Sequence, residues 1–195
     1  MTTASGPSTT EFTVELEFTP NPNTLKYVTN SAFLLSGAVN FKTPAEAVGK
    51  SLLAEKLFSL KGIDSLMVGK NFVTVTLSDQ DSLTELNDSI IESIRAFLQS
   101  GQQAVRLDAI PSDEDRFKDL GDIEKRIVSI LDAEIRPAVA MDGGDITFEK
   151  FQDGIVFLHM KGSCSGCPSS TATLKMGIEN RLKGAIPEVL EVVAV

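Results

Sequence analysis

Phe12, Val14, Leu16 and Phe18 alternate with Thr13, Glu15 and Glu17. This is the period of two of a half-buried strand whose apolar side chains belong to a core. Pro20-Asn21-Pro22-Asn23 forms a turn, after which Thr24 to Thr29 can return as a second strand. Thr43-Pro44-Ala45-Glu46 has the form of a capping box with proline at the first helical position. It predicts a helix through Val48, Leu52, Leu53, Leu57 and Leu60, stopped by Gly62. Ile63–Val68 and Phe72–Leu77 read as a hairpin across Gly69-Lys70-Asn71. Ser82-Leu83-Thr84-Glu85 is a second capping box. Its helix places Leu83, Leu86, Ile90, Ile94, Phe97 and Leu98 on one face and ends near Gly101.

Residues 102–121 are mixed and polar, with Pro111 and the acidic run Ser112-Asp113-Glu114-Asp115, and read as a linker. Val105, Leu107 and Ile110 are apolar enough for its start to dock on the first domain as a strand. Asp122 is the expected N-cap of a further helix through Ile123, Ile127, Ile130, Leu131 and Ile135, which Pro137 kinks or ends. Two short strands follow around 146–151 and 155–161, joined at Gln152-Asp153-Gly154. A loop with two cysteines comes next. Pro168 then opens a helix through Leu174, Ile178 and Leu182 that ends at Lys183-Gly184, and 189–195 closes as a strand. Leu60-Lys61-Gly62 and Leu182-Lys183-Gly184 share a helix stop with glycine just past the end. The fold class is α+β: two small α+β domains joined by an acidic linker. The second domain has the order helix, strand, strand, cysteine loop, helix, strand. The expected divisions are a disordered tail at 1–10, a first domain at 11–101, the linker at 102–121 and a second domain at 122–195.

Composition narrows the function more than the fold. The 195 residues are 42% hydrophobic and 23% charged, ordinary for a globular protein. No run approaches the ~18–20 apolar residues of a membrane span. Met1 to Thr10 carry neither the basic start and apolar middle of a secretory signal nor the arginines of a transit peptide. A cytoplasmic location in a bacterium, or the mitochondrial matrix for a mature eukaryotic chain, is therefore expected. The net charge is −9, both domains are net acidic, and no basic footprint for nucleic acid is visible. No P-loop and no dinucleotide fingerprint occur.

Only two cysteines are present, Cys164 and Cys167, in Gly162-Ser163-Cys164-Ser165-Gly166-Cys167-Pro168. A single C-x-x-C without an export signal points to a metal or redox site rather than a disulfide framework. Gly166 allows the tight turn that aims two sulfurs at one centre. Pro168 places Cys167 near a helix N-terminus, whose partial positive charge and free N–H groups favour thiolate. Cysteine-ligated clusters take four thiolates, and one chain has two. A two-fold dimer brings four together. Zinc would need four N or S ligands, and Cys164, Cys167 and the lone His159 supply three. A dithiol redox enzyme is the third possibility. His159 shares a strand face with Phe157 and Lys161 and reads as a partly buried histidine, and Lys175 reads as surface. Asp142-Gly143-Gly144-Asp145 reads as a turn in which the two aspartates cap local N–H groups.

Asp142-Gly143-Gly144-Asp145, the cysteine loop and Thr173-Leu174-Lys175 together resemble the NifU C-terminal domain of the Nfu family, from about Asp122 to Val195. Phe18-Thr19-Pro20-Asn21-Pro22-Asn23 and Leu25-Lys26 resemble the N-terminal domain that accompanies it. The resemblance implies a non-enzymatic iron–sulfur scaffold or carrier. It holds a [4Fe–4S] cluster between the Cys164 and Cys167 pairs of a homodimer and delivers it to apo-proteins.

Overall fold

The computed structural model describes residues 11–35, 37–79, 83–106, 108, 117–165 and 168–195, without the side chains of 168–170. The expected tail, the Ser82 cap, residues 107 and 109–116 of the acidic linker, Gly166 and Cys167 lie outside the described residues.

The first half is a five-stranded antiparallel sheet in the order β1-β2-β5-β4-β3. Its strands are β1 (Val14–Phe18), β2 (Thr24–Thr29), β3 (Val39–Phe41), β4 (Ile63–Val68) and β5 (Phe72–Leu77). Helices α1 (Pro44–Ala47), α2 (Leu52–Phe58) and α3 (Leu83–Gln99) accompany it. Leu53 and Leu57 of α2 and Ile90, Ile94 and Phe97 of α3 share a core with Leu25, Tyr27, Leu66, Val73 and Val75. Alternation then sends the intervening side chains to the opposite face. There, Glu17, Lys26, Thr74, Met67 and Asn40 are register partners in one row across all five strands. Lys26, Thr74 and Met67 are nonetheless buried, so something covers this second face.

Several expectations change here. The single helix from Pro44 to Leu60 is two, because Gly49 turns at φ +70° between them. The Ser51 hydroxyl restarts the chain by accepting from the Ala54 N–H. Glu46 closes back on the Lys42 N–H at 2.7 Å, and Thr43 makes no side-chain cap. Phe18, expected in the core, is 78% exposed at the end of the edge strand. The short β3 carried no alternation long enough to announce it. Val105 is fully buried in the first core, as its polarity suggested, but it docks without joining the sheet.

The second half is a three-stranded sheet, β6 (Gly144–Gln152), β7 (Ile155–Gly162) and β8 (Glu191–Ala194). β6 and β7 form a hairpin, and β8 runs parallel to β7. Helix α4 (Asp122–Ile130) passes through a wide turn at Leu131–Ile135 into α5 (Arg136–Met141), and α6 (Pro168–Ala185) makes the crossover to β8. Ile127, Leu131, Val139, Ile146, Val156, Leu158, Ile178, Leu182 and Val192 form its core. Gly121, not Asp122, is the cap of α4, its N–H donating to Glu124. Pro137 neither ends nor sharply breaks the helix. It has no N–H to offer Ala133, and the turn before it widens so that the Arg136 N–H reaches the Leu131 carbonyl five residues back. Gly62 does stop its segment at φ +97°, but Gly184 lies inside α6 without a positive φ. The two helix ends are therefore not equivalent.

Candidate metal centre

The two glycine-rich stretches meet because β6 and β7 pair from Gly144 opposite Gly162 onward. The turn before β6 and the cysteine loop after β7 thus leave the sheet side by side. Gly143 and Gly162 take φ of +77° and +62°, which L side chains rarely adopt. The Ser163 N–H donates to the Gly143 carbonyl at 3.2 Å, and the Ser163 hydroxyl donates to the Asp142 carbonyl at 2.5 Å. The Ser165 N–H and hydroxyl both return to the Gly162 carbonyl. From the helix side, the Thr171 hydroxyl donates to the Cys164 carbonyl at 3.0 Å.

These bonds hold Cys164 facing inward. Its residue is 6% exposed and belongs to the second core beside Val139. A Cβ at Gly144 would overlap the Cys164 Sγ, so the absence of a side chain there makes the sulfur's seat. Gly144→Ala is accordingly expected to destabilise the protein by about 1–3 kcal/mol in urea denaturation, the cost of overpacking. Unchanged stability would show that the sulfur does not sit there. The thiol borders a cavity of about 490 Å³ lined also by Val139, Asp142, Thr173, Leu174 and, from the first half, Pro20.

At Cys164 the electrostatics disfavour thiolate, while Cys167, where the helix N-terminus was expected to favour it, lies outside the described residues. Burial above all, with the charges of Asp142 and Asp145, pushes the Cys164 thiol up to about 11 against the lowering effect of Ser163. In this arrangement Cys164 is a neutral thiol at physiological pH.

Asp145 is not a local cap. Its buried carboxylate accepts from Arg136 Nε at 2.7 Å and Nη2 at 3.0 Å, while Nη1 reaches Asp132 at 3.0 Å. Arg136 therefore ties α5 to the start of β6, directly behind the Cys164 seat. Sequence reasoning passed over it; the i, i+4 spacing from Asp132 was the available signal.

His159 is committed elsewhere. Its ring nitrogens face the Val195 carbonyl at 3.2 Å and Glu149 at 3.3 Å. Among the described residues, no group of three or more His, Cys, Asp or Glu side chains could hold a metal ion. Of the three-ligand zinc set, His159 is engaged with Val195 and Glu149, and Cys167 lies outside the described residues. Lys175 pairs with Glu191 at 3.4 Å on β8. Cys167, the other expected ligand, lies outside the described residues. Cys164 suits a cluster as cargo in its chemistry, a sulfur donor bordering a cavity, provided its proton leaves.

Comparison with known proteins follows this geometry. Residues 14–101 match the N-terminal domain of the scaffold protein Nfu/NifU, and residues 127–193 match the NifU-like domain. A human protein named NFU1 iron-sulfur cluster scaffold homolog, mitochondrial, is 40% identical over 90% of this chain and 69% of its own length. The NifU-like protein 4, mitochondrial, of Arabidopsis thaliana is 39% identical over 90% of this chain and 63% of its own. The solution structure of a NifU-like protein from Saccharomyces cerevisiae aligns over 55% of this chain and 95% of that one, with 22% identity and a TM-score of 0.46.

Proposed function

The chain belongs to the Nfu family of iron–sulfur cluster scaffold proteins, and from that premise we propose that it binds a [4Fe–4S] cluster between two copies and passes it to apo-proteins. The carrying observation is the inward seat of Cys164 at a cavity, on a loop that holds the chain's two thiols. A cluster wants four thiolates, so two chains each contribute Cys164 and Cys167. The binding unit is 122–195. The accessory unit is 11–101, its core reaching Val105, and 102–121 joins them. The protein acts as a carrier and not as an enzyme. Two relatives carry mitochondrial names, which favours the matrix for a eukaryotic chain and the cytoplasm for a bacterial one.

The dithiol oxidoreductase reading loses ground to the chemistry of Cys164. An attacking thiol works as thiolate, in an accessible and electropositive setting. This one is buried, raised to about 11 and flanked by two aspartates.

Release follows from the same arrangement. A cluster held by two short loops from two chains is freed when the chains part, and thiolate exchange does the rest. Anaerobic reconstitution followed by native mass spectrometry is expected to show a dimer heavier by one [4Fe–4S]. Mixed with an apo-enzyme and a chelator, the loaded dimer should restore activity faster than iron and sulfide alone. A loaded monomer without a small-thiol ligand would overturn the shared site.

A further inference from the structure

The second face of the five-stranded sheet is covered by the turn before β6 together with the start of the cysteine loop. Three side chains of the first half donate to three carbonyls around the site. Asn21 Nδ2 reaches the Ser165 carbonyl at 2.7 Å, Lys26 Nζ the Met141 carbonyl at 2.9 Å, and Thr74 Oγ1 the Gly143 carbonyl at 2.8 Å. Lys26 and Thr74 are cross-strand partners in the polar row, and Met67, next in that row, packs at Gly162. A Cβ at Gly143 would lie only 3.3 Å from Lys26 and Thr19, so the loop approaches the sheet as closely as a bare backbone allows. Lys26 is further fixed by Glu17 at 2.8 Å. The sheet face is thus built to hold this loop: its donors match the carbonyls that the loop's own hydrogen bonds leave able to accept.

The same contact stands in the way of a second copy. Asn21 grips the residue next to Cys164, and Pro20 walls the cavity that Cys164 borders. A partner chain bringing its own two cysteines to this loop must displace that turn.

We propose that the first domain is a gate on the cluster site: it holds the 141–143 turn, to which the cysteine loop is hydrogen-bonded through Ser163, and Ser165 of that loop, and must let go before a cluster-bridged dimer forms. The gate rests on the shared-cluster reading above. Sheet and second copy compete for one surface, so the metal-free chain is a closed monomer and the loaded form an open dimer. Tightening the sheet contact slows loading, and loosening it speeds loading, with no change in the cluster each dimer finally holds.

The test uses the full chain and the double variant Lys26→Met, Thr74→Val. Both positions face away from the first core, and both replacements keep roughly the side-chain size. Thr74→Val alone serves if the double variant melts early. Two readouts are taken: the radius of gyration of the metal-free chain by small-angle scattering, and the rate of anaerobic loading with iron and sulfide. Losing two hydrogen bonds, one of them charge-assisted, should raise the open population about tenfold or more. The variant is expected to be more extended and to load at least about tenfold faster, ending at the same one cluster per two chains. Equal scattering, with both chains extended or both compact, overturns the docking. An extended variant that loads at the wild-type rate overturns the gate. If neither chain takes up a cluster, the scaffold reading fails and the gate with it, and the scattering pair still reports whether the sheet holds the loop.

Discussion

Replacing Cys164 is expected to abolish cluster retention, and the choice of replacement decides whether stability falls too. The sulfur is packed in the second core against Val139 and Gly144. It is therefore not a loop side chain whose removal leaves the packing untouched. Cys164→Ser puts a hydroxyl into that seat, and an unsatisfied buried hydroxyl costs about 1–3 kcal/mol. Cys164→Ala removes the sulfur without adding a polar atom and is the cleaner variant. It should lose all cluster absorbance, with a denaturation midpoint closer to wild type than that of the serine variant. Full retention of cluster by Cys164→Ala would refute the ligand assignment. Ligation by a protonated thiol brings a pH dependence, which the raised pKa extends to higher pH. Below about 11 the folded chain holds Cys164 protonated, so ligation must expel a proton. Loading should weaken as pH falls, approaching tenfold per unit for each such thiol. A cluster affinity flat between pH 6 and 8 would show that no proton is exchanged.

The second large effect is expected at Arg136. Its guanidinium is the bidentate partner of Asp145, whose side chain is only 5% exposed, and it also holds Asp132. Removing one side of such a pair leaves a buried charge without compensation, which costs about 3–5 kcal/mol. Against the roughly 5–15 kcal/mol that keep a domain folded, this is a large fraction. Arg136→Met should lower the urea midpoint accordingly. Adding Asp145→Asn should restore a substantial part of the loss, because the stranded charge is then gone. If the double variant is as unstable as the single one, the harm comes from packing and not from charge. Gly144 separates Asp145 from the turn at Gly143, so the single variant should also loosen the seat of Cys164.

Much of this protein is local in origin. Strand alternation in 14–18, 24–29, 63–68 and 72–77 marks which side chains point together, because successive Cβ atoms take opposite faces. Helical spacing in 83–99 identifies Ile90, Ile94 and Phe97 as one face in the same way. The C-x-x-C loop and the paired glycines are visible in residue type and spacing alone.

What periodicity cannot supply is the identity of the surface that meets each face. Phe18 continues a perfect alternation and still stands exposed, because among the described residues nothing packs over the end of that edge strand. Pro137 reads as a helix end, yet a widened turn absorbs its missing N–H, since Leu131 and Val139 on either side are held in one core. The Asp145–Arg136 pair joins a helix to a strand, and its strength comes from burial that neither residue reveals by itself. The sequence by itself determined two α+β units and a C-x-x-C pair of thiols on the loop after β7. Only the tertiary structure decided that Cys164 rests inward as a neutral thiol, because desolvation and the charges of Asp142 and Asp145 outweigh the lowering effect of the nearby Ser163. It alone decided that Lys26 and Thr74 close over the 141–143 turn and Asn21 over Ser165, because hydrogen bonds across more than 60 residues of chain depend on where whole sheets come to rest.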